Sequence, residues 1–262
     1  MSPLFLPVTN PRALEKALTL EVDALILDLE DAVSTQRKDE ARDLARTALE
    51  RGFPGKRVAV RINSLRTVWG ADDVKMALEA PCDALVIPKV ERLEDLPQSG
   101  KPLWAMLETP LGILNAREIA ADARVEILIL GTSDLIADLH ARHTPGRENL
   151  FYALGQVVLN ARAYGKMPLD GVFLDYRDVV GFERDCFQAR DFGMGGKTLI
   201  HPSQLVPAKQ IFSPLNGEIV HAQKVLEVWE SARARGDGVA TLEGRLIEEL
   251  HVREALRLLA RA

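Results

Sequence analysis

The sequence predicts an α/β fold, a single (β/α)8 TIM-type barrel with a C-terminal helical extension, and three observations carry that expectation. Eight short apolar runs recur through the first 200 residues at a mean spacing of about 28, each followed by a helix-like stretch. The runs are almost continuously apolar instead of alternating, as strands of a parallel sheet covered on both faces must be. Eight βα units fit a closed barrel better than an open sheet, and no GxGxxG follows a run to suggest a dinucleotide site.

In chain order the expected strands are LFLPV (4–8), DALILDLE (23–30), RVAVRIN (57–63), DALVIPKV (83–90), PLWAMLE (102–108), EILILG (126–131), GVFLD (171–175) and KTLIH (197–201). Amphipathic segments such as PRALEKALTL, RKDEARDLARTALERG and ADDVKMALEA lie between them. After the eighth run, HPSQLVPAKQ starts the last barrel helix. Residues 215–262 carry two further helices, expected at 218–234 and 246–261, on either side of the glycine-rich break Arg235–Val239. The barrel is therefore expected over 1–214, and 215–262 is expected to be an extension too short for a core of its own.

Composition narrows the partners. With 33 Lys and Arg against 38 Asp and Glu, the net charge of −5 argues against nucleic acid or an anionic membrane surface. No apolar run approaches the roughly 18–20 residues needed to span a bilayer. The opening MSPLFLPVTNP lacks the basic region and long apolar stretch of a signal peptide, so a cytoplasmic location is expected. The two cysteines, Cys82 and Cys186, have no metal-type spacing and are expected to be buried, reduced thiols.

A barrel of this kind places its active site at the C-terminal ends of the strands. Strand two ends in Asp28-Leu29-Glu30-Asp31, three in Arg61 and Asn63, four in Lys89 and five in Glu108. Asp134 follows strand six, Asp175 ends seven and His201 ends eight. Charges crowded at one rim cost desolvation unless they pair or bind a ligand, so this pattern marks a site. Glu108 and Asp134 leave consecutive strands, whose axes lie about 5 Å apart, and two such carboxylates can hold one hard cation with water and substrate oxygens completing its shell. Helix capping is the competing role for Asp134. Arg61 suits bidentate capture of a substrate carboxylate, or an internal salt bridge to Asp28, Glu30 or Asp31. Lys89 could form an imine, but its acidic neighbours raise its pKa and favour a salt bridge. His201 either lines the site or packs a turn.

At these residues the chain resembles the citrate lyase beta-subunit (CitE-like) branch of the HpcH/HpaI aldolase/citrate lyase family. The blocks DALILDLEDAV, VRIN, LVIPKVE, LETPLGILNAREIA, ILGTSDLIADL, DGVFLDYRD and GKTLIHPSQ occur in the family's order over nearly the whole length. The resemblance implies a trimeric or hexameric barrel enzyme with Mg²⁺ on Glu108 and Asp134. Arg61 would bind the carboxylate of oxaloacetate or a similar 2-oxo acid, and Glu30 and Asp31 would organise the metal's water shell. Relatives acting on thioesters bring in an acid/base aspartate from a neighbouring subunit, and Glu248 stands at the matching position. Relatives often have an arginine before the first-block proline, where this chain has Asn10.

The resemblance implies reversible cleavage of a citryl-type 3-hydroxyacyl thioester, carried by coenzyme A or an acyl-carrier protein, to oxaloacetate and an acetyl thioester. Arg61 would fix the pose and Glu248 would protonate the enolate. Malyl- or citramalyl-CoA, or a 4-hydroxy-2-oxo acid, are alternative substrates. A partner-dependent subunit that binds Mg²⁺ and an oxo acid is the alternative of another class.

Overall fold

A computed structural model describes residues 1–260. Two compact units divide the chain, Met1–Ala208 and a second from Lys209 onward. In the first, seven parallel strands pair strictly in sequence order: β1 (Leu4–Pro7), β2 (Ala24–Asp28), β3 (Arg57–Arg61), β4 (Ala84–Ile87), β5 (Leu103–Leu107), β6 (Val125–Leu130) and β7 (Met167–Leu169). Helices α1 (Pro11–Ala17), α2 (Lys38–Arg51), α3 (Gly70–Glu79), α4 (Pro110–Leu114), α5 (Ala116–Ala121), α6 (Thr132–Asp138), α7 (Phe151–Ala163), α8 (Val179–Phe192) and α9 (Leu205–Phe212) follow or separate them.

Local chemistry accounts for the helix ends. Asn10 caps α1, its side-chain oxygen accepting the Ala13 N–H at 3.2 Å with Pro11 in the first turn, so the departure from the family's arginine serves as an N-cap. Thr109 caps α4 in the same way ahead of Pro110. Helix α8 starts on the Asp178 cap and stops at Gly193, whose φ of +96° suits glycine.

Strand register decides which residues share a face. Phe5, Ile26, Ala59, Val86, Trp104, Ile127 and Leu169 lie in one buried cluster, together with Ala24, Ala84, Met106 and Ile129. Their neighbours in sequence, such as Leu25, Leu27, Val60 and Leu85, are equally buried on the opposite face. Two-sided burial explains the absence of alternation in the strand sequences. The first-named parity continues past the core: Ala24, Ile26, Asp28 on β2, Ala59 and Arg61 on β3, and Trp104, Met106, Glu108 at β5. Core residues and charges at the C-terminal ends are thus successive steps of one alternation.

Two strand expectations differ from the structure. The seventh strand is Met167–Leu169, and the apolar run Gly171–Leu174 beyond it is loop. Pro168 makes the true strand look like a breaker, because proline lacks the N–H a central strand uses. Here only its carbonyl is needed, accepting from Gly195 N–H at 2.8 Å. Residues 197–201 form isolated parallel bridges in place of a strand, Asp170 to Lys197 and Leu4 to Leu199. Thr198 N–H donates to Asp170 and Phe5 N–H to Leu199, so this segment is hydrogen-bonded to chain at both edges of the sheet.

The second unit contains α10 (Asn216–Ala234), the antiparallel hairpin of β8 (Ala240–Leu242) and β9 (Arg245–Ile247), and α11 (Glu249–Leu259). The hairpin follows the stretch read as a break, and β9 takes the first residues expected for the second helix, which starts at Glu249 instead of 246. Ala222, Val225, Ala232, Ala240, Ile247 and Ala255 form a small buried cluster within it, so this short unit does bury apolar side chains of its own. No helix among the described residues is long and apolar enough to cross a membrane.

Candidate active site

A cleft of about 350 Å³ opens where the strands of the first unit end, and Asp28, Asp31, Arg61, Glu108, Asp134 and Thr132 are among its lining residues. Phe5 and Met106 form its floor.

Arg61 is the most constrained member. Its Nε and Nη2 donate to the two oxygens of Asp28 at 2.7 and 2.6 Å, a bidentate pair that both partners bury. Nη1 lies 3.1 Å from Glu30 Oε2 and 3.5 Å from Asp31 Oδ2, and the guanidinium sits 4.8 Å from the Phe5 ring centre. Burial opposes its charge, but Asp28, Glu30 and Asp31 outweigh burial and hold its pKa above the ordinary range. The internal salt bridge is therefore real. Of the five N–H donors of the fork, those on Nε and Nη2 are taken by Asp28, while Nη1 faces Glu30 and Asp31.

Asp28 also shapes the loop that follows it. Its oxygens accept the N–H groups of Glu30 and Ala32, curling the chain over the strand end. Lys38 Nζ donates to the carbonyls of Leu29 and Glu30 at 2.8 and 2.7 Å, and Asn63 Nδ2 donates to Leu29. Asp73 accepts from both Asn63 nitrogens. Asn63 is thus structural, a brace for the loop that presents Glu30 and Asp31. Sequence reasoning missed Lys38 entirely, because a lysine opening an amphipathic helix reads as solvated charge.

Glu108 is 1% exposed and its Oε1 accepts the Lys89 N–H at 2.8 Å. Burial first, then the negative charges of Glu30 and Asp134, push its pKa up to about 7 against the pull of Lys89 and Arg61. Glu30 is raised as well, chiefly by burial. Lys89 Nζ donates to Glu30 Oε1 at 2.7 Å and lies 3.7 Å from Asp134 Oδ1. Burial opposes the Lys89 charge, but the Glu30 hydrogen bond and the surrounding carboxylates hold its pKa above the ordinary range, which disfavours imine chemistry.

The structure thus brings Glu30, Asp31, Arg61, Glu108 and Asp134 together. His201 and Asp175, two other strand-end residues, are outside both this cluster and the cleft lining. His201 stacks on Tyr176 at 4.4 Å and bonds Ser203, packing a turn. Asp175 accepts from Arg177 N–H in an exposed loop. Glu248 lies in the second unit, exposed, at the N-cap of α11, where its N–H donates to His251 Nδ1 at 3.0 Å.

Five carboxylates (Asp28, Glu30, Asp31, Glu108 and Asp134) share two cations, Arg61 and Lys89. Glu30 Oε2 is buried and accepts no hydrogen bond despite its contact with Arg61. No group of three or more potential ligands forms a ready metal cluster among the described residues. Unrelieved negative charge with at most a pair of free carboxylates fits a hard cation held partly by water and a ligand.

Parallel strands whose C-terminal ends present a charged cleft are the arrangement of an α/β enzyme active site. A profile of the family described as HpcH/HpaI aldolase/citrate lyase matches residues 1–202, and the chain belongs to that family. It is 43% identical over its whole length, and 94% of the relative's, to (3S)-malyl-CoA thioesterase of Cereibacter sphaeroides. It is 33% identical to citrate lyase subunit beta of Leuconostoc mesenteroides, over 98% of this chain and 91% of that one. The crystal structure of CitE from Mycobacterium tuberculosis in complex with magnesium, acetoacetate and coenzyme A matches all of this chain and 97% of its own, with a TM-score of 0.86 and 29% identity.

Proposed function

We propose that this chain is a Mg²⁺-dependent lyase that cleaves a carboxy-3-hydroxyacyl-CoA thioester between C2 and C3, next to the hydroxyl-bearing carbon. The observation that carries the reading is the buried excess of carboxylates around Glu108. Glu108 and Asp134 would hold the metal, and the unbonded Glu30 Oε2 and the raised Glu108 pKa both suit a cation beside them. When bound, the metal supplies Lewis acidity to the substrate hydroxyl and its carboxylate.

The chain's own residues would do the rest. Arg61, locked by Asp28, would turn its Nη1 group, which faces Glu30 and Asp31, to the substrate carboxylate and fix the pose. Glu30 and Asp31 order water beside the cation. The water ordered by Glu30 and Asp31 would accept the C3 hydroxyl proton as the C2–C3 bond breaks, and Glu248, contributed by a neighbouring copy in a homotrimer or hexamer, would give a proton to C2 of the enolate of the departing acetyl thioester. The reading includes a closed eight-stranded barrel with 197–199 as the last stave, supported by its bonds to both sheet edges.

Gly131 supports the central place of Glu108. A Cβ there would collide with Oε2 and Cβ of Glu108. Gly131→Ala is expected to displace the carboxylate and weaken Mg²⁺ binding at least about tenfold, about 1.4 kcal/mol, in a calorimetric titration. Unchanged affinity would remove Glu108 from the metal.

Malyl-CoA is the substrate to try ahead of the citryl type. The relative at 43% identity is named for malyl-CoA, whereas those named for citrate match at 33% or less. Its name favours a second reading, hydrolysis of the thioester. One assay separates the two: with malyl-CoA and Mg²⁺, a lyase forms glyoxylate and acetyl-CoA in equal amounts. A thioesterase releases malate and free coenzyme A thiol without glyoxylate. Inertness toward both malyl-CoA and citryl-CoA would sink both readings.

A further inference from the structure

Lys89, beside the cleft, contacts Glu30, Glu108 and Asp134. Its backbone is left-handed, with φ +52°, a conformation that L side chains adopt sparingly and keep only when their surroundings hold them there. In that turn the N–H donates to Glu108 while the ammonium reaches Glu30 at 2.7 Å and stands 3.7 Å from Asp134.

We propose that Lys89 is a resident cation of the carboxylate cluster, whose ammonium must leave the space between Glu30 and Asp134 when a divalent metal enters. The inference rests on the metal reading above. Arg61 cannot fill this role, because Asp28 holds it by two short hydrogen bonds and its side chain is only 10% exposed. The Lys89 side chain is 36% exposed on a flexible four-carbon stem, so it has somewhere to go. An ammonium at contact distance from the metal's carboxylates repels a divalent ion, and that repulsion is strong in a partly desolvated cleft. Lys89 therefore stabilises the metal-free arrangement and lowers metal affinity. Its displaced ammonium can pair with an incoming substrate carboxylate, so metal and anionic substrate are retained together.

The test is titration calorimetry of MgCl₂ alone into wild type, Lys89→Gln, Lys89→Arg and Glu108→Gln. Glutamine carries the same backbone strain as lysine at this φ, so the comparison isolates the charge. Lys89→Gln is expected to bind Mg²⁺ at least about tenfold more tightly, with Lys89→Arg close to wild type. Equal or weaker binding by Lys89→Gln, with Glu108→Gln still defective, overturns the resident cation and leaves the metal site standing. Absence of binding in every protein overturns the metal reading and this inference with it. Should Lys89→Gln fail to fold, acetic anhydride labelling of Lys89 in wild type decides. The proposal requires Mg²⁺ to increase labelling of Nζ, and constant labelling at saturating metal refutes it.

Discussion

Glu108→Gln is expected to lower Mg²⁺-dependent turnover at least about 10³-fold while making the metal-free protein more stable above pH 7. The first effect follows from losing a charged metal ligand, worth several kcal/mol of transition-state stabilisation, at about 1.4 kcal/mol per tenfold. The second follows from the carboxyl's environment. Its pKa rises from the ordinary 4.5 to about 7, so the fold favours the protonated form. The stability that this preference contributes is complete below pH 4.5 and is lost as pH climbs through 7. Glutamine cannot ionise and can still accept the Lys89 N–H through its oxygen. Relative to wild type it should gain on the order of 1–3 kcal/mol at pH 8 and little at pH 4. Urea unfolding at the two pH values, in chelator, checks this. The same titration predicts that Mg²⁺ affinity falls as pH drops below about 7, since protons then compete for Glu108. A Gln variant with full metal-dependent activity would remove Glu108 from the centre of the site.

Lys197→Met is expected to cost about 3–5 kcal/mol of stability, the penalty for leaving a buried carboxylate without its partner. Lys197 and Asp170 are both 0% exposed, and their ion pair measures 2.6 Å. Arg147 joins from the η-nitrogen side at 2.8 Å, and Asp185 lies 3.5 Å from Lys197. Burial would raise the Asp170 pKa, but Lys197 and Arg147 together hold it below the ordinary carboxylate range. Without Lys197, two buried carboxylates share one guanidinium. The double variant Lys197→Met with Asp170→Asn should recover much of the loss, because no charge is then stranded. A single variant that unfolds within 1 kcal/mol of wild type in urea would show that water or rearrangement relieves Asp170. The network ties residue 197 to the end of β7, beside the cleft, so it is scaffold for the site.

Much of the site was legible because the parity of a strand is local. Asp28, Arg61 and Glu108 each stand two residues beyond a core residue on the same face, so the apolar run and its terminal charge can be read together. Lys89, on the opposite parity from the core residues Ala84 and Val86, was readable as a salt bridge from its acidic neighbours instead. His201 and Asp175 were not separable from these by sequence. Each also ends an apolar run, but one run is a pair of isolated bridges and the other is a loop beyond the true strand. Pro168 hid that strand, and Lys38 and Asn63 looked like surface and site residues when both brace one loop.

The sequence by itself determined the α/β class, the order and parallel pairing of the strands, the family, and the five charged residues that meet at the strand ends. These follow from patterns of a few residues, which burial on both faces of a sheet imposes directly on composition. Only the tertiary structure decided how the charges divide among themselves: Arg61 locked to Asp28, Lys89 set between Glu30 and Asp134, Glu108 raised by burial. It also decided that Lys197 and Asp170 neutralise each other in the interior. Electrostatic partnership depends on distance and on the water excluded around each group, and neither is written in residues that lie 27 to 59 positions apart.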